Sequence, residues 1–201
     1  MKLHCLIQLL ISALILLGLI FNIRNSRLFN FYDHLLHHKL VKNRDGKIWK
    51  VITVLNEPKV IVVWDFLLAG LLVLFHHPWL ALWSLGTLAV TDAVGIFLKH
   101  SVKRKRPLSM RTYRDGYSFP SGHTLGFFLV VAILFLIVIP LIQKASVRTI
   151  LQILLIFAVF FLAVSRVYLY AHWPFDTIGA MLLAYAWLQV AEWLYVAWAP
   201  R

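Results

Sequence analysis

Residues able to bind an anion and move a proton fall in three clusters: Lys99 with Arg106 and Pro107, then Pro120-Ser121-Gly122-His123, then Ser165-Arg166 followed by His172 and Asp176. Lys99, Arg104, Arg106 and Arg166 supply positive charge, and a guanidinium can hold two phosphate oxygens at once. Pro120-Ser121-Gly122 stands directly before an apolar run, so the unpaired N–H groups of a helix N-terminus and the helix dipole would face the same anion. Ser121 is placed to cap that helix or to offer its hydroxyl to phosphate, and Gly122 lets an oxyanion approach the backbone. Alone, this tripeptide reads as a plain helix cap.

The third cluster carries the reactive groups. Pro174 fits the first position of a helix, which leaves His172 just outside it and Asp176 about one turn inside. A carboxylate there can accept a hydrogen bond from one imidazole nitrogen, fixing the tautomer and freeing the other nitrogen to attack phosphorus. His123 is then the candidate acid for the departing oxygen. One histidine is more often structural than catalytic, but two histidines, a carboxylate and several cations gathered at one place favour catalysis.

Whether they gather depends on the elements that carry them. The 201 residues are 61% hydrophobic and 14% charged, with a mean hydropathy of +0.80. That leaves too few polar residues to cover a soluble globule. Six windows, about 5–23, 58–76, 79–98, 123–142, 149–166 and 176–197, each approach the ~20 residues that cross a hydrocarbon core as helix. None shows the period-two alternation of a barrel strand. The expected fold is all-α: a polytopic six-transmembrane-helix bundle forming a single membrane domain over residues 1–201, without repeat or linker. The first window, preceded by Lys2 and followed by no small-residue cleavage site, reads as a retained helix and not a signal peptide. Alternate crossing puts the helix ends near Lys99, His123, Arg166 and Pro174 on one side of the bilayer, so the three clusters can converge.

The formal net charge of +12 sits mainly in two loops. The first holds Arg24, Arg27, Lys39, Lys42, Arg44, Lys47, Lys50 and Lys59 beside Asp33, Asp45 and Glu57. The other holds Lys99, Lys103, Arg104, Lys105, Arg106, Arg111 and Arg114 beside Asp115. Neither carries a nucleic-acid-binding signature, so lipid phosphate and membrane lipids are the expected partners and nucleic acid is not. Within the first loop, Leu28, Phe31, Tyr32, Leu35, Leu36 and Leu40 alternate with polar residues as in an interfacial amphipathic helix. His34, His37 and His38 share that stretch, but no Cys or well-placed carboxylate completes a metal shell, and no metal or cofactor is expected. His76-His77 reads as a solvated cap. Cys5, a lone thiol in the first window, has no partner for an internal disulfide.

Lys99-x6-Arg106-Pro107, Pro120-Ser121-Gly122-His123 and Ser165-Arg166-x5-His172-x3-Asp176 together resemble the three-part signature of the type 2 phosphatidic acid phosphatase superfamily, which includes the vanadium haloperoxidases. The motifs occupy residues 99–176, and the six-helix pattern extends the similarity over nearly the whole chain. The resemblance implies that Lys99, Arg106, Ser121, Gly122 and Arg166 bind phosphate and that His123 protonates the leaving group. It further implies that His172 forms a phosphohistidine, that Asp176 orients His172, and that water hydrolyses the intermediate without a metal ion. Arg104 is a weaker addition. Family members often have a small residue where this chain has Tyr170, which bears on pocket width and substrate choice.

Small six-helix forms of the family act on phosphatidic acid, phosphatidylglycerophosphate or undecaprenyl pyrophosphate, so a lipid phosphatase is the expected activity. The alternatives are a lipid phosphotransferase of the same family and a non-catalytic phosphate-lipid binder or transporter, for which Asp65, Asp92 and Glu192 in or near spans would be the signal. A pure binder has no use for the His172-Asp176 pair and a second histidine. Sidedness divides the signals. Sixteen of the twenty Lys and Arg lie on the motif side, which the positive-inside rule would place in the cytoplasm. The resemblance implies a cell-membrane protein with both termini inside and the site on the extracytoplasmic face. That orientation is the one adopted, because at least three of those cations have a substrate role the rule does not count.

Overall fold

Proline, serine and polar residues at the bilayer edge set where the helices begin and end. The computed structural model describes residues 3–41, 47–107 and 116–198. Lys2, Lys42, Arg44, Asp45, Arg111, Arg114, Asp115 and Arg201, all counted in the charge pattern, lie outside the described residues. Among the described residues the chain is helical, without strands. It begins with α1 (Leu3–Asn25), α2 (Arg27–Leu40), α3 (Lys47–Val54) and α4 (Pro58–Leu74). It continues with α5 (Pro78–Val102), α6 (Gly122–Ile133), α7 (Ala145–Tyr168) and α8 (Pro174–Trp198). Pro58, Pro78 and Pro174 each open a helix, where the missing N–H costs nothing. Ser26 and Ser121 cap α2 and α6 by accepting the N–H groups of Phe29 and Thr124. Past Ile133, α6 widens into a π turn (Leu134–Val138) and ends in a 3-10 turn (Ile139–Leu141). Pro140 forces this, since it lacks the N–H that would bond the Leu136 carbonyl and its ring would crowd that carbonyl.

Two expectations from the sequence need adjustment. The helices outrun their apolar windows: α5 continues to Val102 and carries Lys99 within its last turn, and α7 and α8 close the gap between them to residues 169–173. Polar residues at the water boundary extend a helix without contributing to its hydropathy. The first loop holds two helices, α2 and α3, and not one. Among the described residues five helices, α1, α5, α6 with its extension to Leu141, α7 and α8, are long and apolar enough to cross a membrane. Helix α4 has 17 residues, the lower edge of the spanning range of roughly 17–25.

Packing centres on α8, which lies along α1 and α6, while α5 joins α4 to α6 and α3 rests on α7. The core is aliphatic, with Leu125, Leu129 and Ile133 of α6 meeting Ala180, Leu183 and Leu188 of α8. The outer surface is equally apolar: Leu14 and Phe21 of α1, Phe66 and Leu67 of α4, and Ile150, Leu154, Phe157 and Phe160 of α7 are all exposed. A surface of that kind is stable against lipid and not against water, and the protein is a multi-pass membrane protein. In lipid, close helix approach depends on small residues. At Gly179 of α8 the fully buried Phe119 ring fills the space where a Cβ would stand.

Because Phe119 leads directly into Pro120-Ser121, an added methyl at Gly179 has a specific consequence. Gly179→Ala is expected to destabilise the protein by about 1–3 kcal/mol through overpacking, lowering its melting temperature in detergent and its activity. Gly70→Ala, with nothing within 4 Å of its Cβ position, is the control and should not lower it. Equal melting temperatures for the two variants would contradict this packing.

Candidate active site

The ends of α5, α6, α7 and α8 meet at one level, and hydrogen bonds between the three sequence clusters record it. The Ser121 N–H donates to the Asp176 carbonyl at 3.2 Å, and the Ala171 and His172 N–H groups donate to the Arg166 carbonyl at 3.1 and 3.2 Å. Arg106 donates through NH1 to the Ala171 carbonyl at 2.7 Å and lies 3.4 Å from His172 Nε2. Lys99 Nζ stands 3.7 Å from the position a Cβ would take on Gly122, which places the lysine beside the α6 N-terminus. Ser121 Oγ accepts from Thr124 Oγ1 at 3.0 Å and from the Thr124 N–H at 3.5 Å. Its own hydroxyl proton is left for another acceptor. Arg166 is 1% exposed, in the last turn of α7. His123, second in α6, is half-buried.

Two neighbours fix the state of His172. Its Nδ1 is 2.7 Å from the Ser118 carbonyl, an oxygen that can only accept, so Nδ1 carries the proton. Arg106 NH1 beside Nε2 can only donate, so Nε2 keeps its lone pair. Burial lowers the imidazole from 6.5 to about 4 against the raising influence of the nearby Asp176 carboxylate, and the charges of Arg166 and Arg106 lower it further. His172 is therefore neutral at pH 7, with Nε2 toward the arginines.

One expected contact is different. The sequence reading makes Asp176 the direct acceptor for His172, whereas Asp176 Oδ2 lies 3.7 Å from Nδ1 and the Ser118 carbonyl holds the short bond. Asp176 Oδ2 accepts the Trp173 N–H at 2.9 Å and Oδ1 accepts Arg104 NH1 at 2.8 Å. The first of these is the return half of a capping box, an acid in the first turn satisfying the N–H that precedes the helix. Asp176 thus acts on His172 through its charge and by fixing the residue next to it.

Arg104 is more central than its position inside the first cluster suggests. Besides Asp176, its NH2 donates to Asp33 Oδ2 at 2.6 Å and to Asn30 Oδ1 at 3.1 Å, both on α2, and its guanidinium carbon lies 5.6 Å from the Trp173 ring centroid. Asp33 is fully buried, and its Oδ1 also accepts the Phe175 N–H at 3.3 Å. Helix α2 therefore turns Asp33 and His37 inward while Leu28, Phe31, Tyr32, Leu35, Leu36 and Leu40 face out. His34 and His37 pack on Trp173, at ring-centroid distances of 4.3 and 5.2 Å, and His37 meets Tyr170 at 4.9 Å. Tyr170 has a left-handed backbone, φ 54°, and closes the turn between α7 and α8 against α2.

Sequence reasoning missed Ser118, Asp33 and Asn30. Ser118 acts through its backbone carbonyl, which no side-chain pattern announces. Asp33 had a signal: a lone carboxylate in a basic stretch, on the side of the helix opposite its apolar residues.

Arranged this way, the site can hold an anion among Lys99, Arg106 and the α6 N-terminus, beside an unprotonated imidazole nitrogen. No curated protein sequence matches the chain. Among solved structures, it is similar to a transmembrane PAP2-type phosphatidylglycerolphosphate phosphatase from Bacillus subtilis, with 18% identity and a TM-score of 0.84 over 95% of this chain and 97% of that one. The model of the PAP2 superfamily matches residues 80–199, a stretch that contains every residue of the three clusters, and the chain belongs to the PAP2 superfamily.

Proposed function

We propose that the protein is a metal-independent phosphatase that hydrolyses a phosphomonoester or pyrophosphate of a membrane lipid through a phosphohistidine on His172. The observation that carries this reading is the state of His172: a neutral imidazole, Nδ1 bound to the Ser118 carbonyl and Nε2 beside Arg106. Lys99, Arg106, Arg166, Ser121 and the Gly122 backbone hold the phosphoryl oxygens and offset the charge that builds on them in the transition state. Nε2 bonds to phosphorus as the bond to the leaving oxygen breaks, and His123 gives that oxygen a proton. Water then attacks phosphorus, its protons leaving on the released phosphate, and His123 regains its proton from solvent. The N–P bond breaks, releasing inorganic phosphate and restoring His172.

A lipid substrate is supported by an apolar cavity of about 400 Å³ between α4, α6 and α7, lined by Ile61, Trp64, Phe127, Val130 and Leu155. Helix α6 carries both this lining and, at its N-terminus, the phosphate cluster. The Bacillus protein's described activity makes phosphatidylglycerolphosphate the first lipid to offer, with phosphatidic acid and undecaprenyl pyrophosphate beside it. In this reading α4 is the second of six crossings, α2 lies in the headgroup plane, residues 1–201 act as one membrane domain, and the site faces out of the cytoplasm.

Purified protein in detergent should release phosphate from at least one of the three lipids, with activity unchanged by excess chelator. His172→Ala should abolish turnover of every substrate. His123→Ala should lose about 10²–10⁴-fold on a lipid phosphate, whose alkoxide needs a proton, and much less on p-nitrophenyl phosphate. Equal losses on both substrates would remove His123 from the acid role.

Protonation of Nε2 blocks attack, so the pH at which His172 charges sets the acid limb. With its pKa pushed down to about 4, kcat/KM for p-nitrophenyl phosphate, whose leaving group needs little help from His123, should show no acid limb at the ordinary histidine value and fall only near pH 4. A fall centred near the ordinary histidine value of 6.5 would contradict the buried, neutral imidazole.

Sidedness is tested in a Cys5→Ser background with single cysteines at Lys105 and Lys144, both exposed and at opposite ends of the bundle. An impermeant maleimide added to intact cells should label the cysteine at 105 and not the one at 144. The reverse pattern would put the site in the cytoplasm.

A further inference from the structure

Helix α2 lies outside the residues that define the family, yet it supplies the carboxylate on which the far side of the site is built. We infer that Asp33 is a positioning residue for the reaction: it holds Arg104 against Asp176 and ties down the first turn of α8, and so sets where His172 stands. The inference rests on His172 as the nucleophile.

Asp33 and Asp176 are both fully buried, and Arg104 bridges them with contacts of 2.6 and 2.8 Å. Its side chain is itself only 8% exposed. A buried guanidinium shared by two buried carboxylates has little freedom, because turning toward either partner strips the other of its compensating charge. Arg104 is thereby committed to the scaffold and kept from swinging toward substrate phosphate. The second tie runs through the backbone. Pro174 opens α8 without an N–H, the next N–H belongs to Phe175, and Asp33 Oδ1 accepts it at 3.3 Å. Asp176 takes the Trp173 N–H. The two carboxylates between them satisfy the donors at the start of α8, where negative charge also suits the helix dipole. His172 directly precedes this braced turn.

Asp33 reaches no reacting atom in this arrangement, so its removal should slow the chemical step and leave phosphate binding alone. The test compares Asp33→Asn, Arg104→Gln, the double variant and His172→Ala, as purified protein with p-nitrophenyl phosphate, reading kcat, KM and the inhibition constant of vanadate. Asp33→Asn should lower kcat about 10–100-fold, the rate equivalent of one lost charge-assisted hydrogen bond. KM should stay within about threefold, since Lys99, Arg106 and Arg166 are untouched, while vanadate, which mimics the transition state at His172, should bind more weakly in step with kcat. The double variant should be no slower than the slower single, because both break the same chain of contacts.

Moving the acid gives a second reading that does not depend on how Asp33→Asn folds. Asn30 already places its Oδ1 3.1 Å from the same guanidinium nitrogen. Asn30→Asp combined with Asp33→Asn returns a carboxylate to Arg104 and should bring kcat to within about fivefold of the parent, the residual loss reflecting the uncapped Phe175 N–H. The inference is overturned by wild-type kcat in Asp33→Asn, by losses that add in the double variant, or by a loss of about tenfold or more in the relocated-acid variant. Activity in His172→Ala would defeat the phosphohistidine reading itself. An inactive His172→Ala beside wild-type Asp33→Asn defeats only the positioning role.

Discussion

Asp176 has no contact with water, and a carboxylate so placed must have its charge balanced and its oxygens satisfied by the protein. Arg104 meets one oxygen and the Trp173 N–H the other. Each compensating group then needs support of its own. Arg104 takes its second anchor from Asp33 on α2, and Trp173 is fixed from its indole side, where Nε1 donates to the Lys105 carbonyl at 2.9 Å. The loop after α5, the start of α8 and helix α2 are thus held by a single buried charge network. Removing Arg104 would leave two buried carboxylates without their compensating charge, which costs far more than the net value of an ion pair in the intact protein.

From that network follows the condition of His172. Ser118 donates its N–H to the Arg104 carbonyl at 2.8 Å, and the Ser118 carbonyl in turn holds His172 Nδ1. The arginine that balances Asp176 and the carbonyl that sets the tautomer of His172 therefore belong to one short stretch of chain. Burial makes the imidazole neutral, and a neutral imidazole is what attack on phosphorus requires. The cations divide accordingly: Arg104 is committed to carboxylates, while Lys99 and Arg106 lie near the α6 N-terminus and Nε2, on the side where phosphate would enter.

Much of this site can be read from residue types and spacing, because its side-chain chemistry is carried at helix ends that polar residues mark plainly. Lys99, Gly122, Arg106, Arg166, His172 and Asp176 are each placed by a transition from apolar to polar sequence, and alternate crossing brings those transitions to one level. Asp33 and Asn30 are not legible in the same way. They reach the site from α2 across 71 or more positions of sequence, contacts that only tertiary packing determines. The direct partner of His172 is equally hidden, since any residue type at 118 would present a carbonyl. The fold follows the same division. Hydropathy locates the long helices, but it neither counts the polar turns that extend α5 and α7 nor decides the status of the 17-residue α4, and it cannot foresee that α2 turns a carboxylate inward.

If phosphate passes through His172, the phosphoryl group must reside there during turnover. The direct measurement is a rapid-quench experiment with a radiolabelled phosphate ester, followed by alkaline proteolysis and mass spectrometry of the labelled peptide. The account predicts a phosphoryl group on the peptide bearing His172, stable in alkali, lost in acid and absent from His172→Ala. A label on another residue, or full turnover with no covalent phosphoryl-protein at any quench time, would contradict it.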